Sequence, residues 1–180
     1  MKSHFKTPFR KCIGIDPGKG GGIAVITDET VQIHNCPKTV DAMAHLIDLC
    51  LSDVAAYRTR VFLEKVWAFP TDGRAGSFTF GCNYGQWQGI LASHEIEPML
   101  VTPKTWQSHF EIQKGLKKDI RKKILKQMAI DRCPNAKKVT LKTADAILIA
   151  IYGVEAHLSP ANAKPWVEPQ KDKKVAYRVL

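Results

Sequence analysis

The chain has 180 residues, 44% hydrophobic and 24% charged, with 27 Lys+Arg against 17 Asp+Glu and a net charge of +10. That length and apolar content suit one domain with a substantial core and exclude a disordered basic tail or a disulfide-stapled miniprotein. Surplus cations repel one another in a compact state, so the balance points to a polyanionic partner, either nucleic acid or an acidic membrane surface.

KCIGID (11–16) reads as a short buried strand, PGKGGG (17–22) as a turn, and IAVIT (23–27) and VQIHN (31–35) as two more strands. The chain therefore opens with a three-stranded antiparallel meander. From Val40 the apolar residues Met43, Leu46, Ile47, Cys50 and Leu51 fall at i, i+3, i+4 spacing and predict a helix. RVFLEK (60–65) is a continuous apolar run ending in a carboxylate, the pattern of a central strand covered on both faces. After a loop, WAFPTDGRAG (67–76), a helix is predicted from about Phe78 to His94, then a strand at 96–102 and a short helix, KTWQSHF, with Pro103 in its first turn. Residues 117–130 predict a helix with Ile120, Ile124 and Met128 on one stripe, and with Lys117, Lys118, Arg121, Lys122, Lys123 and Lys126 mostly opposite. Lys142 to about His157 predicts a last helix, apolar nearly all round and hence buried. Three strands, then alternating helix and strand, then helices specify a mixed α/β sheet with helices on both faces.

The five cysteines, Cys12, Cys36, Cys50, Cys82 and Cys133, are odd in number and scattered, with no C-x-x-C pair. This argues against a disulfide framework or a zinc knuckle and for a reducing compartment. The basic start MKSHFKTPFRK has no apolar h-region, and the longest apolar run, Ala146 to Tyr152, falls far short of the roughly 20 residues of a membrane span, so neither export nor anchoring is expected. Residues 1–158 are expected to form the single domain, and 159–180 a basic, Pro-containing tail.

Three carboxylates stand where these elements end. Asp16 closes the first strand, Glu64 closes the fourth, and Asp145 lies in the first turn of the last helix, on the side carrying Leu148, Ile149 and Tyr152. Each alone has an ordinary explanation: Asp-Pro-Gly is a common turn, Glu64 a strand-end acid, and Asp145 a residue favoured by the helix dipole. Together they point to a bound cation, because burying ionised carboxylates without a partner is costly. Asp16 and Glu64 converge if strands one and four are neighbours. Hard oxygens without a His/Cys cluster select Mg²⁺, with Mn²⁺ as substitute.

PGKGGG lacks the G-x-x-x-x-G-K-[ST] pattern and precedes a strand, which excludes an NTPase loop. It is either a tight hairpin or a place where the backbone and Lys19 come close to a phosphate. The lysine-rich helix is either a solvated face or, as the net charge favours, a phosphate-contacting surface. Trp67 and Phe69, in the loop after Glu64, either stack on bases or close the loop hydrophobically. Trp87 reads as core, whereas Trp106 receives no role. The six histidines form no ligand pattern, and no nucleophilic triad spacing is present.

These pieces resemble the RuvC-type Holliday-junction resolvases of the ribonuclease H-like superfamily, especially the compact versions of phages and prophages. The resemblance runs from Cys12 to Gly153 and rests on IGIDPGKGGGIAVI (13–26), VFLEKVWAFP (61–70), FTFGCNYGQWQGIL (78–91), VTPKTWQSHF (101–110), the lysine-rich stretch and TADAILIAIYG (143–153). It implies a five-stranded mixed sheet flanked by helices and a homodimer that binds a four-way DNA junction and cuts two opposing strands symmetrically. Asp16, Glu64 and Asp145 match the family's metal-binding acids. The resemblance implies two metal ions bridged by Asp16, one helping to deprotonate water and one stabilising the leaving 3′ oxygen, with 5′-phosphate and 3′-hydroxyl products. Lys104, Lys117 and Lys118 match basic positions near the scissile phosphate and the DNA backbone, with Arg121 and Lys122 beside them, and Trp67 to Phe69 match a segment reaching toward the junction centre.

The family usually places a fourth ligand three or five residues before the final aspartate, and here those positions are Lys142 and Thr140. Either a second metal is held by waters and the DNA phosphate, or Lys142 serves as a phosphate-binding cation at the catalytic centre. The setting implied is the cytoplasm of a bacterial or phage-infected cell, in association with the nucleoid. The expected activity is Mg²⁺-dependent resolution of four-way or other branched DNA. Its rivals are a catalytically weak junction-binding protein and a ribonuclease H-like enzyme that cleaves RNA.

Overall fold

The computed structural model describes residues 9–54, 56–67 and 73–158. Strands β1 (Lys11–Asp16), β2 (Gly22–Thr27) and β3 (Val31–Asn35) form an antiparallel meander. Helix α1 (Val40–Leu51), capped by the Thr39 side chain, crosses over to β4 (Thr59–Glu64), which pairs in parallel with β1. Helix α2 (Arg74–Ser93) leads to a short β5 (Met99–Val101), parallel to β4. Three helices follow, α3 (Pro103–His109), α4 (Lys118–Arg132) and α5 (Ala144–Gly153), the last running into a π-helical turn at Val154–Leu158. The strand order is β3-β2-β1-β4-β5, a five-stranded mixed sheet with β1 and β4 inside it.

Alternation along these strands assigns the two faces. Ile13, Ile15, Ile23, Val25, Val61 and Leu63 pack with Met43, Leu46, Ile47 and Cys50 of α1 and with Trp87, Ile90 and Leu91 of α2. Cys12, Ala24 and Phe62 point the other way, into a core with Trp106, Leu125, Ala129 and α5. Every residue of α5 is buried, as a sequence apolar but for Asp145 leads one to expect. Two glycines let α5 lie directly on the sheet. A Cβ on Gly14 would stand 2.3 Å from the Ala146 carbonyl oxygen, and one on Gly153 would stand 2.4 Å from the Phe62 ring. Lys11 is the exception in an apolar strand: it is buried, with its ammonium on the Cys50 carbonyl at the end of α1 and on the Asp53 carboxylate.

Several boundaries differ from those the sequence predicts. Helix α2 begins at Arg74, four residues before Phe78, and β5 is trimmed to Met99–Val101. In α4 the buried residues are Leu125 and Ala129, while Ile120 and Ile124 are exposed. Of the expected stripe of Ile120, Ile124 and Met128, the first two are thus out of phase, while Met128 packs against the core. Contact with α5, rather than the apolarity of each residue, decides which side of α4 turns inward. The last helix starts at Ala144, after a turn in which Thr140 and Thr143 bond to each other. All five cysteines are free thiols, four of them buried. Among the described residues no helix is long and apolar enough to cross a membrane. Phe69 and the predicted tail, 159–180, lie outside the described residues.

Candidate active site

Register brings the first two carboxylates together. Ile15 of β1 is paired with Leu63 of β4, so Asp16 and Glu64 are the next residues on two parallel neighbours. Because side chains alternate, both fall on the same face as Cys12 and Phe62, the face that α5 covers. The close approach of α5 at Gly14 then brings Asp145, in the first turn of that helix, to the same end of the sheet. At this point Gly21 leaves no room for a side chain, since its Cβ would meet the Asp16 carbonyl oxygen at 2.0 Å. Gly18 turns the chain with φ of 104°, and its N–H donates to Asn83 Oδ1 at 2.7 Å, tying the turn to α2.

The electrostatics record this crowding. Burial raises the Asp16 carboxyl well above its ordinary 3.8, and the neighbouring charges of Glu64 and Asp145 push it the same way, with Lys122 opposing. Burial raises Glu64 from 4.5 to about 7. Its hydrogen bond from Trp106 and the charges of Lys122 and Arg121 pull it back, and Asp145 adds to the rise. Trp106 is fully buried and its indole N–H donates to Glu64 Oε1 at 2.8 Å. Lys122 Nζ donates to Asp145 Oδ2 at 2.5 Å, while the other oxygen, Asp145 Oδ1, is buried with no partner among the described groups. Burial works against the Lys122 charge, but Asp145, Asp16 and Glu64 outweigh it and raise the affinity of that amine for its proton.

Beside Glu64 opens a groove of about 940 Å³ lined by Lys65, Lys104, Lys114, Lys118 and Arg121, with Trp67 and Phe80 among its apolar walls. The predicted cations therefore separate. Lys104, Lys118 and Arg121 face this groove and Lys117 caps the start of α4. Lys19 is exposed in the glycine turn, and Lys122 turns inward onto the acids. Lys142 is exposed, its backbone N–H taken by Thr140 Oγ1. Trp67 is 47% exposed on the groove wall. Two participants escape sequence reasoning. Trp106 gives no sign in the chain that its indole reaches a strand-end acid, although a buried tryptophan needs an acceptor for its N–H. Phe80 sits in an exposed-looking helix segment.

As they stand, no three His, Cys, Asp or Glu side chains among the described residues lie close enough together to hold an ion. The donor set nevertheless fits one. Asp16, Glu64 and Asp145 offer only hard oxygens, Asp145 Oδ1 is an orphaned buried acceptor, and a cation is already drawn to the cluster in the form of Lys122.

No protein-family model matches the sequence, and no curated protein matches it. Solved structures do. Thermus thermophilus RuvC in complex with a Holliday junction substrate superposes with a TM-score of 0.54 at 14% identity, over 79% of this chain and 90% of that one. The fold is RuvC-like. A second Thermus thermophilus RuvC structure matches with a TM-score of 0.50 at 15% identity, covering 78% of this chain and 91% of that chain. The RuvC-like sheet, with strands of both senses, agrees with the fold class predicted from element order.

Proposed function

We propose that this protein is a divalent-metal-dependent endonuclease that resolves four-way or branched DNA junctions. The observation that carries the reading is the placing of Asp16, Glu64 and Asp145, from β1, β4 and α5, at the same end of a RuvC-like sheet beside a cationic groove. Asp16, Glu64 and Asp145 would hold the metal. When bound, a divalent ion polarises the phosphate and lowers the pKa of an attacking water. The chain's own residues do the rest. Trp106 orients Glu64, Gly14 and Gly21 keep backbone and helix close around Asp16, and Lys65, Lys104, Lys114, Lys118 and Arg121 hold the phosphodiester backbone along the groove. Trp67 supplies an aromatic face for an unstacked base. Two copies acting on one junction would leave paired nicks with 5′-phosphate and 3′-hydroxyl ends.

A synthetic four-way junction incubated with the protein in Mg²⁺, with incisions mapped on all four strands, tests this. Symmetric paired nicks are expected, absent in EDTA and lost in Asp16→Asn while junction binding persists. A second reading, junction binding without cleavage, is favoured by the exposed Lys142 where an acid would complete the ligand set. An intact junction with wild type and variant both bound would establish it and overturn the nuclease. Cutting of an RNA–DNA hybrid in preference to the junction would instead assign ribonuclease activity.

A further inference from the structure

Lys122 stands in an unusual place for a residue of a phosphate-contacting helix. Its side chain is 27% exposed and its ammonium is 2.5 Å from Asp145 Oδ2, itself on a carboxylate side chain only 10% exposed. The charges of Asp16 and Glu64 reinforce the ammonium from nearby, while the direct contact is with Asp145. Neighbouring cations on the same helix, Lys118 and Arg121, face the groove instead. No acid is present at positions 140 and 142, so the cluster has fewer anionic oxygens than two divalent ions would require. The tethered ammonium already offsets part of the negative charge that would draw in a divalent ion. A divalent ion entering there meets Asp145 already engaged.

We propose that Lys122 is a built-in competitor for the metal position: its ammonium pairs with Asp145 in the metal-free protein and must leave that carboxylate before a divalent ion binds to it. The inference rests on the metal-dependent reading above and assigns to it a self-masking contact. The fold of α4 supplies the tether. Leu125 and Ala129 anchor the helix against α5, and Lys122, one turn before Leu125 and on the same side, is thereby aimed at the first turn of α5. Competition of this kind lowers the apparent metal affinity by the fraction of molecules in which the site is open.

The test is direct Mn²⁺ binding, followed by electron paramagnetic resonance on the full chain without DNA. Lys122→Met is expected to bind Mn²⁺ about tenfold more tightly than wild type, as when roughly nine molecules in ten are masked. Lys122→Gln, uncharged but polar, should follow it, whereas Lys122→Arg, which keeps the charge, should stay near wild type. Structural damage weakens binding and cannot produce the gain. Equal or weaker affinity in Lys122→Met and Lys122→Gln, with Mn²⁺ still bound, would overturn the masking and leave the metal-dependent reading intact. An Arg variant that gains affinity as the Met variant does would also overturn it. Absence of Mn²⁺ binding in every protein would overturn both readings.

Discussion

Glu64 holds its proton in the folded protein up to about 7, against an ordinary 4.5 in an unfolded chain, chiefly because β4 ends inside the molecule. Across that window the folded state binds more protons than the unfolded one, so its stabilising share is complete below about 4.5 and gone once the pH has passed about 7. The metal-free protein should therefore melt at progressively lower temperature as pH rises through this range, and Glu64→Gln should flatten the dependence. A slope unchanged in Glu64→Gln would assign the penalty elsewhere, with Asp16 the next residue to test. At this scale the sequence was informative about identity and poor about partners. Asp16, Glu64 and Asp145 declare themselves by sitting at the ends of apolar runs, where burial needs a reason. The Trp106 hydrogen bond and the Lys122 contact join residues far apart in the chain, and neither has a local pattern. Lys122 looks, in sequence, like any other cation of its helix.

The elements follow from patterns that survive packing: alternating or continuous apolar runs for β1, β2 and β4, i, i+3, i+4 spacing for α1, and apolarity broken only by Asp145 for α5. Phase in α4 does not, because Ile120 and Ile124 make the more apolar stripe while Leu125 and Ala129 make the contact with α5. The most sensitive joint is the crossing of α5 over β1. A Cβ at Gly14 would collide with backbone atoms of Ala146 and Ala150, which no rotamer change relieves. Gly14→Ala should cost about 1–3 kcal/mol in urea denaturation, as overpacked cores do. It should also displace Asp145 from Asp16, so junction cleavage should fall by more than the loss of folded protein explains. Wild-type stability and activity in Gly14→Ala would show that the two elements are not held this tightly.

At the scale of the molecule the net charge is +10, and among the described residues an acidic centre lies beside a groove lined by cations. If the groove cations hold DNA as proposed, affinity for it should fall linearly on logarithmic axes with salt, by a slope of about −0.9 for each phosphate neutralised. Lys104→Ala with Lys118→Ala should lower the magnitude of that slope by about 2, measured by anisotropy of a labelled junction in EDTA. A slope insensitive to both residues would remove them from the interface. Composition points to a polyanion but cannot give this division, since charge balance carries no positions. The acids are also divided along the chain. Asp16 and Glu64 belong to early strands, whereas Asp145 arrives on α5, the helix that supplies much of one core. A chain still on the ribosome can therefore pair β1 with β4 and hold two carboxylates, yet it has neither the helix that covers them nor the third. The candidate site is therefore complete only once the last helix has docked, so on the proposed function a chain truncated before α5, which lacks Asp145, should leave a four-way junction uncut.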